Sequence, residues 1–128
     1  AIAAKSLKEA SYHVRWSAEW VIRLGDGTEE SKKRIEKAIT QCWQFTGELF
    51  DPASFELALM RTGIAADVQG LKNSFDEKVK NILDEATLRV PEGIHMQSGG
   101  KEGKHTEQLG YILAEMQFLQ RVYPGCEW

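Results

Sequence analysis

AIAAKSLKEASYHVRWSAEWVIRL, residues 1–24, decides the fold. It contains no proline or glycine, and Leu7, Ala10, Val14, Ala18 and Val21 recur every three or four residues. That spacing places the five side chains on one face of an α-helix, so it predicts a single long helix with a continuous apolar stripe. A helix of ~20 residues is ~30 Å long, which suits an up-down bundle better than a tight globin-like cluster. Ala1 to Ala4 already read as helix interior, with no Ser, Thr, Asp or Asn before them, so the chain is expected to begin in mid-helix.

Gly25-Asp26-Gly27-Thr28 is expected to stop this helix. Glycine tolerates left-handed geometry beyond a helix end, and Asp26 or Thr28 can cap the next helix. Glu29 and Glu30 then fall in a first turn, where the helix dipole favours negative charge. Ile35, Ala38, Ile39, Cys42, Phe45 or Thr46, and Leu49 continue a second helix to Asp51-Pro52, and so short a connection implies antiparallel packing on the first. Asp51 as cap and Pro52 at the first helical position open a short third helix that Gly63 closes. Val68, Leu71, Phe75, Val79, Ile82 and Ala86 mark a fourth helix, and Thr87 to Pro91 turns extended, since proline disfavours helix in the residue before it. Residues 92–104 hold four glycines and no periodicity, which reads as loop. Thr106 is expected to cap a last helix through Leu109, Ile112, Leu113, Met116 and Leu119 to Tyr123. No sustained two-residue alternation or hairpin signal occurs, so the class is all-α.

The composition agrees with a globular chain: 128 residues, 42% hydrophobic and 27% charged. Sixteen Lys and Arg against nineteen Asp and Glu leave a net charge of −3 with no long block of either sign, which argues against nucleic acid as a partner. No apolar run approaches the ~18 residues of a membrane span, and the first residues lack the apolar centre of a signal peptide. No membrane partner and a cytoplasmic location are therefore expected. Cys42 and Cys126 are too few and too far apart for a disulfide framework or zinc ribbon and read as reduced thiols.

A helical bundle raises the question of a di-iron or di-manganese site, which needs two further Glu and two E-x-x-H pairs on facing helices. E-x-x-H occurs at Glu92 to His95 and at Glu102 to His105, but both lie in the glycine-rich loop, where the spacing loses its helical meaning. The nearest helical pair is Glu9 and His13, about 40° apart on one face with Trp16 and Trp20 continuing the row. A hydrogen-bonded structural pair on a packed aromatic face is the preferred reading, because structural pairs outnumber ligand pairs, and one such pair cannot hold two metals. GGKEGKH invites a phosphate-loop reading, yet G-x-x-x-x-G-K-S/T needs four residues between the glycines, and Gly99 to Gly103 leaves three. A looser phosphate contact through Lys101 and Lys104 stands beside the plain reading of a solvated linker. His105, Thr106 and Glu107 lack a nucleophile with an orienting third group, so no catalytic residue is assigned. Trp16, Trp20, Trp43 and Trp128, with Phe45, Phe50, Phe118 and Tyr123, divide evenly between a core and a partner-facing reading.

The run GGKEGKHTEQLGYILAEMQFLQRVYPGCEW, residues 99–128, resembles the C-terminal signature of the structural C subunits of phenylacetyl-coenzyme A ring 1,2-epoxidase, from bacterial aerobic phenylacetate degradation. KEASYHVR, WQFTGELFD, GIAAD and EATLRVPEG resemble the same family in the same order, so the likeness covers nearly the whole chain. It implies a ferritin-like antiparallel helical bundle in which residues 1–128 are the C-terminal part of a single domain, the N-terminal helices of the full subunit being absent. It also implies a non-catalytic subunit that binds and stabilises the catalytic di-iron A subunit of a monooxygenase complex, with Glu9 and His13 at a degenerate metal-site position. That complex inserts one oxygen atom into the ring of phenylacetyl-coenzyme A. On the same footing this chain holds no cofactor: di-iron belongs to the partner subunit, and NADPH acts through a separate reductase. Contacts with the A subunit are expected at Lys101, Lys104, His105, Thr106, Glu107 and Phe118, and exposed apolar helix faces would favour self-association. The competing expectation is a metal-dependent ferritin-like oxygenase with its own di-iron site.

Overall fold

In the computed structural model, which describes residues 2–127, six helices occur and no strand is found among the described residues. They are α1 (Ile2–Gly25), α2 (Glu29–Trp43), α3 (Ser54–Arg61), α4 (Lys72–Glu85), α5 (Gln108–Met116) and α6 (Phe118–Val122). This is the all-α class expected, consistent with a ferritin-like helical fold. The chain divides into two compact units, one ending at Gln97 and the other starting at Ser98.

In the first unit α1, α2 and α4 pack as an up-down-up trio. Thr28 reverses the chain: its hydroxyl oxygen accepts from the Ser31 N–H at 3.2 Å, satisfying one of the unpaired donors of α2. α4 runs in the same direction as α1, since Ala86 lies against Gly25 while Lys78 and Ile82 border a groove with Ser11, Val14 and Ala18. The core sits where the three helices meet, at Leu83, Ala86 and Leu88, with Val21, Ile22, Ile35, Ile39, Trp43 and Val79 half-buried around them. Burying Leu83 and Leu88, each 4% exposed, contributes about 2 kcal/mol apiece.

Gly25 is the last residue of α1, and it is not left-handed as expected from its position. Its role is closeness. A Cβ there would lie 2.3 Å from the Ala86 carbonyl oxygen, so only glycine lets α1 and the end of α4 approach this far. The left-handed position falls instead on Thr87, expected to be extended, with φ of 58°. α4 ends there in a Schellman motif: the Leu88 N–H bonds to the Leu83 carbonyl at 2.9 Å and the Thr87 N–H to the Asp84 carbonyl at 3.1 Å. The apolar contact that accompanies this motif is the Leu83–Leu88 pair of the core.

Several boundaries differ from the sequence expectations for local reasons. α2 stops at Trp43, where the Thr46 hydroxyl donates to the Trp43 carbonyl at 2.8 Å, and a 3-10 turn over Gly47–Phe50 replaces its last turns. α3 is capped at Ala53, not Asp51; the Glu56 carboxylate accepts from the Ala53 N–H at 2.9 Å. α4 starts at Lys72 because Asp67 Oδ1 accepts from the Gln69 and Gly70 N–H groups, holding residues 67–70 in a turn. Phe50 and Phe75, with centroids 5.0 Å apart, tie the α2–α4 crossover to α4. Gln97 closes the unit, its N–H bonding to the Gln44 carbonyl at 2.8 Å.

In the second unit the glycine-rich stretch holds a 3-10 turn, Gly100–Glu102, between left-handed Gly99 and Gly103. The helix expected from Thr106 to Tyr123 is two helices, interrupted at Gln117. Glu107 occupies the cap position without a side-chain bond to the helix, and Thr106 contributes only its carbonyl, which accepts from the Leu109 N–H at 3.2 Å.

Candidate functional site

The feature that stands out among the described residues is apolar side chains exposed on helices. Among the described residues only Gly25, Ala53, Leu83, Ala86 and Leu88 are buried. α1 turns one side to α2 and α4, yet its outer row carries Trp16, 54% exposed, and Trp20, 46% exposed. The two indoles meet edge to face with centroids 6.4 Å apart, and Arg23 lies over the Trp20 ring at 5.8 Å. Rings held this way form a stiff, dry surface that loses little conformational entropy when covered. Ile2, Leu7 and Tyr12 are exposed on the same helix.

The second unit shows the same feature more strongly. Along α5 and α6, Tyr111, Ile112, Leu113, Met116, Phe118, Leu119 and Val122 are all exposed, Met116 at 71% and Phe118 at 59%. Only Leu109 is half-buried. Large exposed apolar patches are a feature of interaction surfaces, which makes these side chains candidates for one.

Of the residues expected at the interface, Lys101 to Glu107 follow one another through the 3-10 turn to the start of α5. Lys101 is half-buried in that turn, and Lys104 folds back on it: its N–H bonds to the Gly99 carbonyl at 2.8 Å, and its side chain fills the space beside Gly99. His105, Thr106 and Glu107 are exposed. Phe118 opens α6, separated from that segment by the whole of α5. Sequence reasoning missed Tyr111, Met116 and Val122 as interface candidates. The signal was present in the all-round apolar pattern of 109–123, which spacing alone presents as one stripe facing a core.

Glu9 and His13 are both exposed on α1, and no hydrogen bond or ion pair links them. His13 instead meets the Tyr12 ring edge to face at 5.9 Å. Among the described residues no three His, Cys, Asp or Glu side chains converge as a metal site would require. The aromatics divide as follows: Trp16, Trp20, Phe45, Phe118 and Tyr123 are exposed, Trp43 and Phe50 are half-buried, and Trp128 lies outside the described residues. Cys42 and Cys126 are exposed free thiols. No described helix is long and apolar enough to cross a membrane.

The whole chain, residues 1–128, matches the phenylacetic acid catabolic protein family. It is 48% identical over 128 residues to the C subunit of 1,2-phenylacetyl-CoA epoxidase from Escherichia coli (strain K12). The alignment takes in 100% of this chain and 52% of that protein, so the chain spans about half the length of the curated relative it matches. Identity at this level over every helix described above leaves no room for a merely shared architecture: the chain belongs to the phenylacetic acid catabolic protein family.

Proposed function

We propose that this chain acts as part of the non-catalytic structural subunit of a multicomponent phenylacetyl-coenzyme A epoxidase, binding and stabilising the catalytic A subunit. The observation that carries the reading is the 48% identity with the C subunit of the epoxidase along the full chain. Two physical features support it. Apolar side chains on α1, α5 and α6 are exposed, and among the described residues the acidic and imidazole side chains do not gather into a ligand set. On this reading the di-iron centre belongs to the A subunit, a reductase supplies electrons from NADPH, and this chain holds no cofactor. Its free thiols suit a reducing, cytoplasmic setting.

The contact surface is placed on Lys101, Lys104, His105, Thr106, Glu107 and Phe118, continued by the apolar side chains of α5. Apolar anchors would supply the affinity and the rim charges the orientation. Co-expression of the tagged chain with the A subunit tests this: the two are expected to co-purify. A chain that never retains the A subunit, beside an epoxidase that works without it, would overturn the reading.

A further inference from the structure

We propose that the groove between α1 and α4 is the seat for α5 of a second copy of this chain, so that two copies exchange α5 and close as a dimer. The groove has a volume of about 420 Å³, and its apolar floor is Leu7, Ala10, Val14 and Ala18 of α1 with Ile82 of α4. The charged side chains in its lining are Arg15 and Lys78, both cations. Ser11 adds no unsatisfied donor to the floor, because its hydroxyl donates to the Leu7 carbonyl at 2.8 Å. From Leu7 to Ala18 the floor runs ~16 Å along α1, and α5, nine residues long, spans ~14 Å.

Shape, burial and charge single out α5 as the occupant. Helical spacing places Leu109, Ile112, Leu113 and Met116 on one face of α5, and Ile112, Leu113 and Met116 are 54%, 38% and 71% exposed. A helix this short does not hold itself in water by its own hydrogen bonds, so its apolar stripe needs a surface to pack on. α5 carries Glu115 beside that stripe, three residues on from Ile112, and no basic residue, whereas the groove lining has two cations and no carboxylate. Arg15, Lys78 and Glu115 take part in no ion pair among the described residues, where the pairs are Arg34–Glu30, Lys72–Asp76 and Lys80–Asp84.

Every copy carries both the groove and the helix that fits it. Reciprocal exchange therefore satisfies both surfaces of both copies at once, and twofold symmetry stops the assembly at a dimer. By helical spacing Glu107 and Tyr111 lie on the other face of α5 and remain outside the groove.

Sedimentation equilibrium of the 128-residue protein over about 1–100 µM is expected to show a concentration-dependent dimer. Val14→Glu and Ile112→Glu each place an unpaired carboxylate in the contact and should weaken the dimer at least about tenfold. Mixed in equal amounts, the two variants should recover a heterodimer, because the groove of the Ile112→Glu copy and α5 of the Val14→Glu copy are both intact. Glu115→Lys should weaken the dimer about threefold, and Arg15→Glu with Lys78→Glu in the same chain should restore it. Val14 and Ile112 are exposed, and circular dichroism confirms that each variant folds; should Val14→Glu unfold, Ile112→Glu and the charge exchange still decide.

A monomer throughout the concentration series would overturn the exchange, as would a dimer unmoved by Ile112→Glu in folded protein or a loss that mixing does not recover. Val14→Glu that abolishes retention of the A subunit while leaving the dimer intact would give the groove to that subunit and overturn the exchange as well. The dimer does not depend on the epoxidase reading: a chain that exchanges α5 in this way without retaining the A subunit supports the exchange and overturns only the assembly with that subunit.

Discussion

The Thr87 hydroxyl donates to the Gly25 carbonyl at 3.3 Å while accepting from the Lys32 ammonium at 3.0 Å. One side chain thus joins the C-terminal ends of α1 and α4 to the first turn of α2. The left-handed backbone at Thr87 is the strain that accompanies this arrangement.

Two substitutions separate strain from bonding. Thr87→Ala keeps the unfavourable backbone and loses both hydrogen bonds, so it is expected to destabilise by about 1–2 kcal/mol. Thr87→Gly loses the same bonds but relieves the backbone by about 1 kcal/mol, and should fall close to the parent protein. Urea unfolding followed by circular dichroism measures both. Equal destabilisation by the two would mean that the backbone at Thr87 is unstrained.

Gly25→Ala is expected to destabilise by about 1–3 kcal/mol, because the new methyl meets the Ala86 carbonyl oxygen, which belongs to a helix end and cannot swing aside. Gly110→Ala is the matched control. That glycine lies inside α5, where an added methyl would have nothing within 4 Å, and alanine there should stabilise by about 0.5–1 kcal/mol. Opposite signs are expected in one thermal unfolding series, and a neutral Gly25→Ala would show that α1 and α4 stand further apart.

The periodicity of Leu7 to Val21 was enough to give α1, and Thr28 with Glu29 and Glu30 marked the start of α2, because these signals are local. The meeting of Gly25 with Ala86 was not legible, since it joins residues far apart in the chain and the sequence offers a commoner reason for a glycine at a helix end. Thr87 was hidden for a similar reason: nothing local marks a β-branched residue as left-handed. The break at Gln117 was missed because the apolar spacing continues through it. For the candidate site, the Glu9–His13 row and the exposed tryptophans could be found by helical spacing. Which apolar stripe lacks cover depends on what packs on it, and spacing alone does not say.

Glu9 and His13 give a direct test of the metal reading. With no third His, Cys, Asp or Glu gathered beside them among the described residues, Glu9→Gln and His13→Gln are expected to leave the iron content of protein grown in iron-rich medium unchanged and at background. Stoichiometric iron that disappears with either change would assign the chain a metal centre of its own and reverse the division of labour proposed with the A subunit.

Met116→Asp and Phe118→Asp test the uncovered strip of the second unit. Both side chains are more than half exposed, so each change should move the stability of the isolated chain by no more than about 0.5 kcal/mol. In a complex the same positions would be desolvated. A carboxylate buried there without a partner should weaken retention of the A subunit by at least about tenfold. Lys104→Ala should act differently, because a rim charge governs the association rate and its salt dependence more than the lifetime of a complex. Surface plasmon resonance at two salt concentrations separates the effects: faster dissociation for the aspartates, slower association with a flatter salt response for Lys104→Ala. Aspartates that leave dissociation unchanged would move the interface away from α5 and α6, and the exposed Trp16–Trp20 pair of α1 would then be the surface to mutate.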